Sequence, residues 1–92
     1  MEEIQKRVAA HYLIKLSDMM SSKRTKQITV PRQVAMYLTK LLTTMSLPEI
    51  GKSFGGRDHT TILHAFKKVQ ADIDKNQSLA EDVRLLTTIL TK

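Results

Sequence analysis

Two adjacent glycines, Gly55-Gly56, separate two segments that each begin with a helix-capping signal. Ser46-Leu47-Pro48-Glu49 has the Ser-x-x-Glu pattern of a capping box with proline in the first turn, and it predicts a short helix over about 47–54. Glycines that take positive φ can end that helix. Asp58 is placed to cap a second, longer helix. The sequence therefore predicts a helix-turn-helix over about 46–75.

The rest of the chain also has helical periodicity, and no run of β-branched residues alternates as a strand would. A first helix is predicted over about 2–13, with Ile4, Val8 and Tyr12 on its buried face. Ser17-Asp18 is predicted to cap a short helical turn through Met20. The polar, basic segment 21–29 is aperiodic and is predicted to be a loop.

Two further helices are predicted beside the helix-turn-helix. Pro31 suits the first turn of a helix that extends to about residue 44. Its buried face should comprise Val34, Ala35, Leu38, Leu41, Leu42 and Met45. A second capping box, Ser78-Leu79-Ala80-Glu81, is predicted to open the last helix after a break at Asn76-Gln77. The stripe of that last helix is Leu79, Val83, Leu86 and Leu90.

The composition argues against several kinds of protein. The chain has 92 residues, which suits one domain, and it contains no cysteine for disulfides, metal thiolates or a thiol nucleophile. His59 and His64 are five positions apart, unlike the i, i+4 pair of a zinc helix. No serine or carboxylate pair has the setting of a hydrolytic site. We expect no metal, no enzymatic activity and, without a signal peptide or a long apolar run, a cytoplasmic protein.

Positive charge is concentrated in the middle of the chain. The formal net charge is +6, but residues 19–70 hold nine lysines and arginines against only two acids, Glu49 and Asp58. Such segregation is typical of a nucleic-acid footprint, although a solvated basic face would give the same count. Two tyrosines and two phenylalanines offer few stacking platforms for single-stranded bases. Duplex DNA is therefore the favoured partner.

The long helix has two opposite faces when its residues are placed 100° apart. Its apolar residues form one narrow stripe: Ile62, Phe66, Val69 and Ile73. Short polar and basic residues are centred about 185° from that stripe: Thr60, His64, Lys67 and Lys68. Ordinary surface helices mix glutamate with lysine, whereas this face begins with threonine, histidine and lysine. We interpret it as a face that contacts DNA bases in the major groove.

Individual roles follow from the chemistry of the side chains. The Asp58 carboxylate can cap the helix or accept a hydrogen bond from a cytosine amino group. His59 can donate to guanine or thymine, or pack on a methyl group, and His64 is better placed for the DNA backbone. The basic segment around Lys23-Arg24 is either a solvated loop or an arm that places an arginine in an A·T-rich minor groove.

Three stretches of the chain together resemble a known family: PRQVAM at 31–36, SLPEIG at 46–51 and GGRDHTTILH at 55–64. They are similar to the C-terminal DNA-binding domain of the bacterial replication initiator family DnaA. The resemblance covers essentially the whole chain, and GRDHTT at 56–61 is its most specific part. It implies a single all-α DNA-binding domain over 1–92, with six helices, a helix-turn-helix and a relation to the Trp-repressor fold.

The resemblance also implies which residues bind DNA. Asp58, His59 and Thr60 align with base-contacting residues of the major groove, and Arg24 aligns with an arginine that enters the minor groove. Other positions align with residues that contact the backbone or fix the docking: Lys23, Gln33, Leu47, Pro48, Thr61, His64 and Lys68. Arg32 and Arg57 are expected to support phosphate contacts. Lys26 is left without a role.

The partner implied by the resemblance is double-stranded DNA at short asymmetric initiator boxes similar to TTATCCACA, with one copy of the domain on each box. Such boxes lie at replication origins and some promoters, so we expect a nucleoid-associated protein. The family binds ATP through a separate domain, and this chain has no Gly-rich phosphate loop. We therefore expect no cofactor here, and we expect the remaining domains of a full-length initiator as further partners.

Other functions are compatible with parts of the pattern. A helix-turn-helix transcriptional regulator would bind an operator, usually as a dimer on a palindrome, but no apolar stripe is left over here for a second subunit. A phosphate-handling enzyme could use the Gly55-Gly56 turn and a helix N-terminus as an anion site, but it would lack a nucleophile and a pocket. A protein-docking module would leave the segregated charge unexplained.

Overall fold

Two helices, Lys26–Leu42 and His59–Ile73, form the centre of the structure, a computed structural model that describes residues 2–92. Five α-helices and one 3₁₀ helix follow one another within these residues. Their bounds are α1 Glu2–Tyr12, η1 Leu16–Met19, α2 Lys26–Leu42, α3 Leu47–Ser53, α4 His59–Ile73 and α5 Gln77–Leu90. The all-α prediction is confirmed. The count of α-helices is five rather than six, because the short second element is a 3₁₀ helix.

The core lies between α2 and α4 and is covered by the remaining helices. Its fully buried side chains come from every helical element: Val8, Met19, Val34, Leu38, Ile50, Phe54, Ile62 and Leu86 are among them. The predicted stripes of α4 and α5 are confirmed, since Ile62, Val69, Val83 and Leu86 are buried. Leu41 was predicted on the buried face of α2, but it is 49% exposed, because the core does not extend over this side of the last turn of α2.

Helix α2 begins earlier than the sequence pattern predicts, so the predicted loop over 21–29 is too long. Thr25 is the N-cap, and its carbonyl oxygen accepts a hydrogen bond from the Ile28 amide at 2.9 Å. Pro31 therefore lies inside α2 rather than in its first turn. An interior proline costs roughly 3 kcal/mol because it removes a helical hydrogen bond. Burial of Ile28 and Pro31 in this part of the fold offsets that cost.

Two predicted helix caps are also wrong. The N-cap of α5 is Asn76, whose side-chain oxygen accepts from the Leu79 amide at 3.1 Å, so the helix starts before the predicted Ser78–Glu81 capping box. Asparagine caps as well as serine does, and here it reaches an amide of the first turn. Ser17 and Asp18 lie within η1 instead of preceding it, and the Asp18 carboxylate accepts from the Lys15 amide at 3.2 Å.

A polar contact joins α1 to α5. The Tyr12 hydroxyl donates to Asp82 Oδ2 at 3.2 Å, and His11 Nε2 lies 2.8 Å from Asp82 Oδ1. Burial raises the pKa of Tyr12 well above its ordinary value, and the negative charge of Asp82 raises it further. The neutral phenol is therefore the form that the folded protein stabilises.

This contact predicts a loss of stability in alkaline solution. Because the folded protein raises the pKa of Tyr12, the stabilisation is complete below pH ~10, the pKa of an unfolded tyrosine, and declines as the pH rises further. Tyr12→Phe should lower the free energy of unfolding by about 1 kcal/mol at pH 7 and flatten the decline above pH ~10. Urea unfolding between pH ~7 and ~11 measures both effects. Tyr37→Phe is the matched control, and equal pH slopes for Tyr12→Phe and the parent would contradict the prediction.

Candidate nucleic-acid interface

The first helix of the predicted helix-turn-helix is capped as the sequence indicates. The Ser46 amide donates to Glu49 Oε1 at 2.9 Å, and the Glu49 amide donates to Ser46 Oγ at 3.3 Å. The capping box is thereby confirmed, with Pro48 in the first turn of α3. The hydrogen bond from the Ser46 backbone lowers the pKa of Glu49, so its carboxylate stays ionised at the helix N-terminus.

The turn between α3 and α4 closes on the backbone of Gly51. The Gly51 carbonyl oxygen accepts from the amides of Phe54, Gly56 and Arg57 at 3.1, 3.0 and 2.9 Å. Gly55 and Gly56 have φ of +79° and +77°, which confirms the predicted positive-φ turn. A Cβ on Gly51 would overlap the Arg57 carbonyl oxygen. The sequence analysis missed this role of Gly51, for which a glycine inside a predicted helix was the available signal.

Asp58, His59 and Thr60 form one exposed polar cluster at the start of α4. Asp58 occupies the predicted N-cap position, but its carboxylate contacts side chains rather than capping an amide. It accepts from the Thr60 hydroxyl at 3.1 Å and lies 2.9 Å from His59 Nδ1. The hydrogen bond from Thr60 lowers the pKa of Asp58. The structure therefore gathers the three residues expected to contact bases, with the carboxylate ionised.

A cleft of about 210 Å³ between α2 and α4 gathers several of the residues expected to contact the DNA backbone. Its lining includes Gln33, Arg57, Thr61, His64 and Lys68. These side chains offer hydrogen-bond donors or positive charge, and none carries a carboxylate. On α4 the cleft thus runs from Thr61, directly after the exposed cluster, to Lys68 in the middle of the helix.

Three basic residues in or near this cleft have different surroundings. Lys68 Nζ lies 3.1 Å from Asp72 Oδ2, and both side chains are substantially exposed. Such a surface pair is worth less than about 1 kcal/mol, so a phosphate can displace the carboxylate. Arg24 lines a larger neighbouring groove together with Gln33 and Lys68. Lys23 is exposed, and its ammonium lies 3.4 Å from Asp18 Oδ1.

Leu47 and Pro48 lie at the N-terminus of α3 and are not among the residues that line either groove. Leu47 is half-buried and packs against the core, whereas Pro48 is exposed. The structure therefore places these two expected contacts beside the cleft rather than in it.

Arg32 lies in the interior, unlike the other expected DNA contacts. Its side chain is only 5% exposed. The guanidinium donates to the Asp18 carbonyl from Nε at 3.3 Å and from Nη2 at 2.9 Å, to the Lys23 carbonyl at 3.0 Å and to Ser21 Oγ at 3.0 Å. These bonds hold the guanidinium within the protein. The side chain also lines the α2–α4 cleft, so the expectation that Arg32 supports phosphate contacts stays a prediction. A periodic pattern of apolar residues gives no signal for such a buried arginine.

Arg57 is half-buried, and its guanidinium donates to the carbonyl oxygens of Phe54 and Ser21. Burial lowers the pKa of Arg57. Arg57 therefore connects the turn of the helix-turn-helix to the segment before α2 and also lines the α2–α4 cleft.

Among residues 2–92, no group of three or more histidine, cysteine, aspartate or glutamate side chains is arranged to hold a metal ion. None of the helices within the same residues has the length and apolar character needed to span a membrane.

Comparisons with known proteins agree with this geometry. Residues 1–69 match a family model described as the bacterial dnaA protein helix-turn-helix. The chain is 56% identical over 89 residues to the chromosomal replication initiator protein DnaA of Cereibacter sphaeroides, covering 97% of this chain and 20% of that protein. It is 52% identical to the protein of the same name from Bartonella quintana, covering 97% and 18%.

A solved structure described as a crystal structure of a DNA replication initiation factor has the same fold. The TM-score is 0.80 at 35% sequence identity, over 92% of this chain and 26% of that chain. The chain spans about a fifth of the length of the curated relatives it matches.

Proposed function

Because the chain belongs to the bacterial DnaA helix-turn-helix family, we propose that it binds double-stranded DNA at the initiator boxes of a replication origin. The observation that carries this proposal is the exposed cluster of Asp58, His59 and Thr60 at the start of α4, whose flanking residues Arg57 and Thr61 line the α2–α4 cleft. The family is defined by a helix-turn-helix, which is a DNA-binding motif and not a catalytic one.

The first turn of α4 enters the major groove in this proposal. Asp58 accepts a hydrogen bond from a cytosine amino group, which supplies specificity at one position. His59 and Thr60 contact neighbouring base edges, and the threonine methyl is suited to the methyl of thymine. The low pKa of Asp58 keeps it an acceptor at neutral pH. Its negative charge also repels phosphate, so it favours a position over the bases rather than beside the backbone.

The cleft holds the phosphate backbone. Thr61 and His64 donate hydrogen bonds there, and Lys68 exchanges its contact with Asp72 for a phosphate. Each phosphate that a cation neutralises releases counterions, so these contacts supply affinity that depends on salt and not on sequence. Arg24 lies in the adjoining groove and extends towards the minor groove, where the negative potential is highest in A·T-rich DNA.

The resemblance in the sequence supports a more specific proposal about the DNA sequence, the number of copies bound and the partner domains. We propose that the preferred duplex is similar to TTATCCACA, that one copy of the domain occupies each box, and that the domain acts together with the other domains of an initiator at the nucleoid.

A gel-shift titration tests the proposed function. The chain is titrated against a duplex that contains the TTATCCACA box and against a scrambled duplex of equal composition, both at ~150 mM salt. The chain should bind the box duplex more tightly than the scrambled duplex by roughly three orders of magnitude or more, with one protein per duplex. Equal affinities for the two duplexes would refute the proposed function, and a two-to-one complex on a palindrome would favour a dimeric regulator instead.

A further inference from the structure

Two arginine side chains join the segment before α2 to the turn of the helix-turn-helix. The Arg32 guanidinium donates four hydrogen bonds, to acceptors on Asp18, Ser21 and Lys23, and the Arg57 guanidinium donates to the carbonyl oxygens of Ser21 and Phe54. We call these six residues with their hydrogen bonds the arginine brace. It ends immediately before Arg24, the residue expected in the minor groove.

The backbone is in close contact at the same place. A Cβ on Gly55 would lie 2.6 Å from the Met20 carbonyl oxygen and 3.2 Å from Arg57 Nη1. The turn between α3 and α4 therefore packs directly against residues 20–21. Any movement of this segment changes the position of Arg24 relative to the start of α4.

The buried positive charge of Arg32 makes the brace dependent on its hydrogen-bond acceptors. Burial lowers the pKa of Arg32, the nearby positive charge of Arg57 lowers it further, and the Asp18 carboxylate opposes both effects. Asp18 is itself almost fully buried. A buried guanidinium is tolerated only when its donors are satisfied, and most of the acceptors here are backbone carbonyls of residues 18–23. The segment must therefore keep the conformation that presents those carbonyls.

We propose that Arg32 is a positioning residue for DNA recognition, which holds residues 21–24 against the helix-turn-helix so that Arg24 enters the minor groove while α4 occupies the major groove. The proposal rests on the proposed function. Without the brace, the segment is free in solution and must be ordered when DNA binds, which weakens binding. Lysine cannot replace Arg32, because one ammonium does not supply the planar fork of donors.

The test uses Arg32→Lys, which keeps the charge, and Arg84→Lys, the same replacement at an exposed position on α5, as its control. In the free protein, trypsin should cleave after Lys23 and Arg24 about tenfold faster in Arg32→Lys than in the parent or the control. Mass spectrometry locates the cuts, and circular dichroism verifies the helical content. Ser21→Ala, which removes one bond of the brace, should give a smaller increase and covers the case in which Arg32→Lys does not fold.

Binding to the box duplex then links the brace to Arg24. Arg32→Lys should weaken binding about tenfold in the parent but less than twofold in the Arg24→Ala background, because the two changes remove the same contact. The loss should remain tenfold in the Lys68→Ala background, since Lys68 acts independently.

Different outcomes overturn different statements. Unchanged cleavage in both Arg32→Lys and Ser21→Ala would refute the brace, whatever the chain binds. A full tenfold loss that persists in Arg24→Ala would refute the positioning of Arg24 and indicate a merely structural arginine. A parent chain that does not prefer the box over the scrambled duplex would refute the proposed function, and the positioning role with it.

Discussion

Gly51→Ala is expected to lower the free energy of unfolding by about 3 kcal/mol, at the upper end of the usual range for overpacking. A Cβ at this position would overlap the Arg57 carbonyl oxygen and lie 3.1 Å from its carbonyl carbon. The clashing atoms belong to the backbone, so no side-chain rotation relieves the overlap. The same glycine carbonyl accepts three amides of the turn, so moving the turn also breaks those hydrogen bonds. The melting temperature should fall by roughly 12–24 °C.

Gly56→Ala is the matched control for this prediction. Nothing lies within 4 Å of a Cβ at Gly56, so the substitution adds only the strain of alanine at a φ of +77°. That strain costs about 1 kcal/mol. Thermal and urea unfolding of both variants measure the difference. If Gly56→Ala proved as destabilising as Gly51→Ala, the close packing of α3 on the start of α4 would not be the cause.

His59→Ala is expected to reduce affinity for the TTATCCACA duplex by about 1–3 kcal/mol, which is roughly 5- to 150-fold. The imidazole is exposed beside Asp58 at the start of α4, so its removal takes away the proposed base contact and leaves the core intact. Affinity for the scrambled duplex should change less than about twofold, since binding outside the box depends on phosphates. The variant therefore loses preference for the box more than it loses general affinity.

Lys68→Ala should show the opposite pattern and serves as the comparison for His59→Ala. Removing the ammonium should weaken binding to both duplexes by similar factors and reduce the slope of log affinity against log salt by roughly 0.9. Anisotropy titrations at several salt concentrations measure both quantities. An equal loss on box and scrambled DNA for His59→Ala would show that the start of α4 does not contact bases.

Much of the helix-turn-helix could be predicted because its signals are local. The capping box at Ser46 uses only neighbouring residues, and both of its hydrogen bonds form as the pattern predicts. The Gly55-Gly56 turn follows from the positive φ that glycine tolerates, and the stripe through Ile62 and Val69 follows from helical periodicity.

The sequence-based predictions were wrong where a local signal competed with burial or with a second residue that could play the same part. Pro31 indicates a helix start, but burial of Ile28 extends α2 back to Lys26. Asn76 and Ser78 are both good caps, and only the packed helix shows that Asn76 is used. For Arg32, no local signal indicated burial, because its acceptors on Asp18, Ser21 and Lys23 lie 9 to 14 residues away and are brought to it by folding.

The amino-acid sequence alone determined the helical class, the position of the turn and the polar face of α4, because each depends on residues within one or two helical turns of one another. The tertiary structure decided which cations face solvent and which are buried, and it brought Gln33 of α2 into one cleft with His64 and Lys68 of α4. The physical reason is that a charged side chain remains in the interior only where distant carbonyls satisfy its donors, and those carbonyls are assembled only in the folded chain.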